Sequence, residues 1–149
     1  MYRILIQRAA RNACVPASRE LRLWAKQTLE ENIPSAELTI RIVNEDEMIT
    51  LNNTYRNKNQ TTNVLSFPFD MPAENDLDLP LLGDIVICAD VVEHEARAQN
   101  KMLNAHWAHM VVHGTLHLLG FDHEKNSDAE VMEAREILIL KKLGFSNPY

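Results

Sequence analysis

The sequence has few of the residues that define several protein classes. Its two cysteines, Cys14 and Cys88, are too few for a disulfide-stabilised scaffold. It contains only four glycines, and no repeat, low-complexity segment or Gly/Ser-rich linker that would divide the chain. No apolar run approaches the roughly 18 residues needed to cross a bilayer. We therefore expect residues 1–149 to form one domain that does not enter a membrane.

The N-terminal segment lacks the unbroken apolar stretch of a secretory signal, because Arg3, Arg8 and Arg11 interrupt it. A cytoplasmic location is therefore expected. The formal net charge is −6, but residues 1–60 carry nine Arg or Lys against seven Asp or Glu, whereas residues 61–149 carry six against fourteen. An acidic chain is not typical of nucleic-acid binding, although a local basic surface on the first part could still serve.

The hydrophobic periodicity predicts an α+β fold with a small mixed sheet of three to four strands and about five helices. Strands are predicted at 3–7, 37–43, 64–67 and 84–88, and helices at 19–31, 45–55, 90–100, 102–119 and from the Ser127/Glu130 pair to Gly144. Ser18, Asn44 and Ser127 are the predicted N-caps of three helices. The helices are concentrated toward the C-terminal half, where the candidate site also lies.

The histidines carry the clearest chemical signal, in the segment HGTLHLLGFDH at 113–123. On a helix, His113 and His117 are one turn apart and project from the same face. Gly120 can end that helix with a positive φ, so that the chain turns and His123 returns toward the pair. Three nitrogen ligands with an open fourth position are typical of a catalytic zinc site. The sequence therefore predicts one Zn²⁺ per chain, held by His113, His117 and His123.

The same segment lacks the residue that a protease would need. The spacing H-x-x-x-H-x-x-G-x-x-H also belongs to the metzincin proteases, which carry a glutamate directly after the first histidine as the general base. Here that position is Gly114. The ligand pattern is present, while the proton-transfer residue is missing and the general base is not identified.

Other interpretations of the histidines remain open at this point. His106 and His109 lie on the same helical stripe as His113, so the face could be a buried histidine cluster without metal. A pairing of His109 with His113 would leave His123 unexplained. We expect His106 and His109 to pack or to orient the ligands, and Asp122 to accept a hydrogen bond rather than bind the ion.

Together with two further segments, the histidine motif resembles the YbeY family of bacterial endoribonucleases. These segments are LNNTYRNKNQTTNVLSFPF at 51–69 and LGDIVI at 82–87. The resemblance implies an α+β zinc protein that cleaves single-stranded RNA in ribosomal RNA maturation, at the 16S rRNA 3′ end, and in ribosome quality control. It implies the ribosome or its small-subunit proteins as partners, and zinc at His113, His117 and His123. It also singles out Arg56 as the functional arginine.

The chain departs from this family at one visible position, since Asn63 stands where the family usually has aspartate. Any role that needs a carboxylate at residue 63 is therefore in doubt, whereas a structural role in a turn could survive. Arg56 is always protonated and can bind a phosphate through two nitrogens, which suits stabilisation of negative charge at phosphorus. Its alternative interpretation is a solvated residue at a helix end.

Two further expectations concern residues near these motifs. Asp84 follows Gly83 and is expected to occupy a turn. Tyr55, Phe67 and Phe69 could stack on bases, but we expect them in the core. Two rival functions are kept, a zincin-like metalloprotease and a non-catalytic, metal-stabilised ribosome-binding protein.

Overall fold

The computed structural model describes residues 1–10, 14–69, 79–122 and 125–149. Within these residues, four strands and five helices follow one another along the chain. They are β1 (Tyr2–Arg8), α1 (Ser18–Glu30), β2 (Ala36–Val43), α2 (Glu45–Arg56), β3 (Val64–Pro68), β4 (Leu81–Cys88), α3 (Ala89–Ala98), α4 (Leu103–Leu118) and α5 (Asn126–Lys142). The predicted α+β class is confirmed. Among the described residues, no helix is both long and apolar enough to span a bilayer.

The four strands form one mixed sheet in the order β1-β2-β4-β3. β1, β2 and β4 run parallel, and β3 pairs antiparallel with β4 at the edge. The alternation in β2 sends Leu38, Ile40 and Ile42 into the core, where they meet Ile85 and Ile87 of β4. β3 forms one edge of the sheet and contacts helix α4.

Helix α4 is the central helix of the molecule. It contacts α1, α3 and α5 as well as β3 and β4. Eleven of its sixteen residues are buried, so it has almost no solvated face. The histidines that sequence periodicity assigned to one stripe of this helix are therefore held in the interior or at its edge, rather than on an open surface.

The predicted helix starts have mixed outcomes. Asn44 caps α2 as predicted, because its Oδ1 accepts a hydrogen bond from the Glu47 backbone N–H at 3.0 Å. The prediction for Ser18 is wrong, since it is the first residue of α1 and its hydroxyl accepts from Arg8 Nη2 at 3.0 Å. The prediction for Ser127 is also wrong. α5 begins at Asn126 after Lys125, whose side chain has no acceptor atom.

The turn predicted at Asp84 is wrong, because β4 begins three residues earlier at Leu81 and continues through it. Asp84 pairs with Thr39 of β2 on one side and with Phe67 of β3 on the other. Gly83 allows this pairing. It has a φ of 138°, and a Cβ there would lie 2.1 Å from the Phe67 carbonyl oxygen.

Candidate active site

The C-terminal end of α4 turns as the sequence predicts. Gly120 has a φ of 101°. Its N–H donates to the His117 carbonyl at 3.0 Å, and the Phe121 N–H donates to the Leu116 carbonyl at 3.1 Å. These two hydrogen bonds end the helix and redirect the chain, so that Phe121 and Asp122 line the same cleft as the helix end. His123 follows directly and lies outside the described residues.

His113 and His117 bring their side chains together on one face of α4. Their Nε2 atoms are 3.1 Å apart and their ring centroids 4.6 Å apart. Two nitrogen ligands at about 2.0–2.1 Å from a tetrahedral zinc would be separated by about 3.3 Å. The observed spacing therefore fits a pair that binds one ion through both Nε2 atoms.

A buried carboxylate fixes the orientation of His113. Glu136 of α5 is completely buried, and its Oε2 lies 3.3 Å from His113 Nδ1 and 2.5 Å from His109 Nε2. A carboxylate accepts hydrogen bonds, so the proton of His113 belongs on Nδ1 and the lone pair on Nε2, facing His117. Burial raises the pKa of Glu136, but the hydrogen bonds and charges of His109 and His113 outweigh it and lower the pKa to about 2.

A second grouping of possible metal ligands overlaps this pair. His109, His113 and Glu136 each offer one ligand atom, and these atoms lie within 4.8 Å of one another, so the three could hold a metal ion. Their polar atoms already hydrogen-bond to one another in the interior. The His113–His117 pair faces an accessible cleft instead. Of the two groupings, the pair at the cleft is the one where a substrate could approach a bound ion.

The cleft at the helix end has a volume of about 620 Å³ and lies between β3, the end of α2 and α4. Its lining contains two cationic side chains, one from the end of α2, and one carboxylate, in a protein of net charge −6. The lining residues are Arg56, Lys58, Thr62, Asn63, Val64, Leu65, Ser66, Pro68, His113, His117, Gly120, Phe121 and Asp122. The structure thus brings Arg56 into the same cleft as His113 and His117.

Ser66 of β3 connects the arginine to the histidine helix. Its carbonyl oxygen lies 3.4 Å from Arg56 Nη2, and its hydroxyl donates to the Gly114 carbonyl at 3.1 Å. The edge strand therefore holds the end of α2 and the histidine-bearing turn of α4 in one arrangement. Sequence spacing provided no sign of the contact between Ser66 and α4, because Gly114 is 48 residues further along the chain.

The position where a metzincin carries its glutamate has no room for a side chain. A Cβ on Gly114 would lie 2.7 Å from Ile85 Cγ2 and 3.4 Å from Val64 Cγ2. This side of α4 is packed against the sheet, and Ile85 is fully buried. A general base therefore cannot project into the cleft from residue 114.

Asn63 makes a contact that sequence reasoning missed. Its Nδ2 donates to Glu95 Oε1 at 3.1 Å, with Oε2 at 3.4 Å. Glu95 Oε1 also lies 3.0 Å from His106 Nε2. Burial lowers the pKa of His106 more than the hydrogen bond and charge of Glu95 raise it, so the ring is neutral and donates through Nε2. Asparagine is thus the donor in this network, a part that aspartate could not take.

The exposed aromatics differ from the expectation. Tyr55 is 63% and Phe69 is 47% exposed, so both predictions of a core position are wrong. Phe67 is half-buried and packs edge-on against Tyr55, with ring centroids 5.2 Å apart. A solvent-facing helix end explains Tyr55, since it lies in the last turn of α2.

Comparison with known proteins identifies the family of this chain. The family model described as Endoribonuclease YbeY matches residues 7–144, which is nearly the whole chain. The chain belongs to this family. Members of the YbeY family are metal-dependent hydrolases that cleave RNA in ribosomal RNA processing, and this chain is accordingly an endoribonuclease. The resemblance seen in the three sequence motifs is confirmed.

One solved structure shows the same fold over almost the full length. The solution structure of TM1509 from Thermotoga maritima is 25% identical to this chain, with a TM-score of 0.58. The match covers 97% of this chain and 92% of TM1509. The YbeY family assignment and the fold therefore agree.

Proposed function

We propose that this YbeY-family protein is a zinc-dependent endoribonuclease specific for single-stranded RNA, acting in the cytoplasm. Its proposed roles are the maturation of the 16S rRNA 3′ end and ribosome quality control, with the ribosome or its small-subunit proteins as partners. The observation that carries the proposal is the shared cleft, which Arg56 and Lys58 line together with the His113–His117 pair.

The proposed ligands of the zinc ion are His113, His117 and His123. The 3.1 Å separation of the two Nε2 atoms and the donation from His113 Nδ1 to Glu136 support the first two. The turn at Gly120 supports the third, because it redirects the chain at the helix end toward the cleft. A bound zinc ion would supply Lewis-acid polarisation of the phosphodiester.

The protein's own groups suit a phosphodiester substrate. Arg56 and Lys58 put positive charge into a cleft of a protein whose net charge is −6. This local charge attracts the phosphates of the RNA backbone and offsets their repulsion by the negative charge of the whole protein. Arg56 can bind two phosphate oxygens at once and stabilise the charge that develops at phosphorus. A cleft of about 620 Å³ suits a short stretch of unpaired strand, whose bases can splay apart, better than a duplex.

The test compares metal-loaded protein on labelled single-stranded RNA, on the same RNA in a duplex, and on casein. We expect cleavage of the single strand alone, and its loss in His113→Ala, which also controls for contaminating ribonuclease. Robust cleavage of casein would instead support the protease interpretation, and RNA binding without cleavage would support the non-catalytic one.

A second arm tests Arg56. Arg56→Ala should reduce the rate of RNA cleavage by about 10²-fold, as expected for the loss of one preorganised charge-stabilising donor. Arg56→Lys should recover only part of the rate, since a point charge cannot reproduce a two-pronged contact. Arg97→Ala is the matched control, because Arg97 is an exposed helix-end arginine paired with Glu93.

Zinc content and melting temperature are measured for the same variants. Selective loss of activity in Arg56→Ala, with zinc and stability retained, supports the proposed role. Equal activity in the wild type and both Arg56 variants would show that Arg56 is only a solvated residue. A parallel fall in activity and melting temperature would make it structural.

A further inference from the structure

We propose that Tyr149 is a positioning residue for the metal site, acting on His113 through Glu136. The inference rests on the proposed function only in taking His113 as a metal ligand. The Tyr149 hydroxyl donates to Glu136 Oε1 at 2.8 Å, whereas the histidines contact the other carboxylate oxygen. Tyr149 therefore joins a chain of contacts that runs through Glu136 and His113 to His117.

The two oxygens of Glu136 have separate partners. Oε1 accepts from Tyr149, while Oε2 accepts from His109 and His113. The Glu136 side chain is fully buried, so each of its carboxylate oxygens needs a hydrogen-bond donor. Tyr149 thus completes the set of donors that holds this carboxylate in one orientation.

The contact to His113 depends most on that orientation. At 3.3 Å it is longer than the 2.5 Å contact between Glu136 and His109. If the Tyr149 hydroxyl is removed, Oε1 loses its hydrogen-bond donor. Rotation of the carboxylate toward other donors then becomes favourable. The weaker contact to His113 is then the first to be lost, and the ring is no longer fixed with Nε2 toward His117.

The segment that carries Tyr149 is itself attached to the helices. Lys101 Nζ donates to the Pro148 carbonyl at 2.8 Å. The Tyr149 ring packs edge-on against His109, with ring centroids 5.4 Å apart, and Phe145 packs in the same way against Trp24 at 5.9 Å. These contacts hold the hydroxyl at Glu136 although Tyr149 as a residue is 61% exposed.

The test measures zinc affinity of the full-length protein by competition with a chelating dye, together with the visible spectrum of the Co²⁺-substituted protein. Tyr149→Phe removes only the hydroxyl and should weaken zinc binding by about 3–10-fold, less than the usual effect of removing a direct partner of a ligand, because Tyr149 acts one contact further from His113. Glu136→Gln should weaken it by about 10–100-fold, the usual range for a group that orients a ligand. The Co²⁺ spectrum should change in both variants, because the geometry at His113 changes.

Tyr2→Phe is the matched control. The Tyr2 hydroxyl donates to the Ile33 carbonyl at 2.5 Å, so the variant loses a comparable hydrogen bond away from the histidines. Its melting temperature should fall while its zinc affinity stays at the wild-type value. A merely structural role for Tyr149 would give the same pattern in Tyr149→Phe.

The double variant Tyr149→Phe/Glu136→Gln tests the route. If Tyr149 acts through Glu136, the double variant should bind zinc as Glu136→Gln does, and additive losses would overturn that route. Unchanged or tighter binding in Tyr149→Phe would overturn the inference, as would a wild-type protein that binds no zinc. If the wild type binds zinc but cleaves no RNA, the proposed function fails, and the affinities alone decide the inference.

Discussion

The contact between Asn63 and Glu95 can be tested by reversing its polarity. Asn63→Asp replaces the Nδ2 donor by a carboxylate about 3 Å from the Glu95 oxygens. The variant loses a hydrogen bond to a charged acceptor, which contributes about 1.5 kcal/mol. It also gains a like-charge contact, which we set at about 1–2 kcal/mol because the Glu95 side chain is partly exposed and the two groups can move apart.

The expected loss at neutral pH is therefore about 2–4 kcal/mol in the free energy of unfolding. For a domain of this size, that corresponds to a fall in melting temperature of about 5–10 °C. The loss should grow as the pH is raised, because the proton that relieves the repulsion between the two carboxylates is removed. Thermal or urea unfolding of the protein at pH 5, 7 and 8 measures both effects.

The double variant Asn63→Asp/Glu95→Gln supplies the control. The amide introduced at position 95 could accept from His106 through its oxygen and donate through its nitrogen to the carboxylate introduced at position 63. The network would then be restored with the donor and acceptor roles exchanged. We expect the second substitution to recover about 2 kcal/mol. The reasoning is refuted if Asn63→Asp is as stable as the wild type, or if adding Glu95→Gln restores nothing.

Two further predictions concern stability. Gly83→Ala should lower the free energy of unfolding by about 3 kcal/mol or more, because its Cβ would meet the Phe67 carbonyl. Gly144 also has a positive φ but open space around it, so Gly144→Ala should lower the free energy of unfolding by only about 1 kcal/mol. Urea unfolding measures both. Burial holds the pKa of His106 below its ordinary value, so its contribution to stability is present above about pH 6.5 and lost as the pH falls. The free energy of unfolding of His106→Gln, which keeps a donor for Glu95, should therefore change less between pH 7 and 5 than that of the wild type. An equal dependence of stability on pH in the two proteins would contradict this.

The sequence predicted the local parts of the site because local rules determine them. The spacing of His113 and His117 follows from helix periodicity, and the turn at Gly120 follows from the conformational freedom of glycine. The family motifs pointed to Arg56, but not to the strand that holds it near the histidines. The proposed third ligand, His123, remains a prediction.

The errors in the fold have a common physical origin. Serine is a favoured N-cap residue, but the hydroxyl of Ser18 accepts a hydrogen bond from Arg8 instead of capping α1. Asp84 follows a glycine, as in many turns, but Gly83 is required for the close approach of β3 and β4. In each case a local preference competes with a contact made by another part of the chain, and the tertiary contact prevails.

The same reasoning explains why Glu136, Tyr149 and Glu95 were not found from the sequence. Each lies on a different element from the histidine it contacts, and none belongs to a motif with recognisable spacing. A signal was nevertheless present in α4, where His106 and His109 lie among apolar residues in a helix that has almost no solvated face. A buried imidazole needs a partner for its N–H, so two buried histidines require acceptors on neighbouring elements, and carboxylates are the strongest available. The pattern of histidines along α4 therefore implies that such partners exist, while only the packing of α3 and α5 against it determines which residues they are.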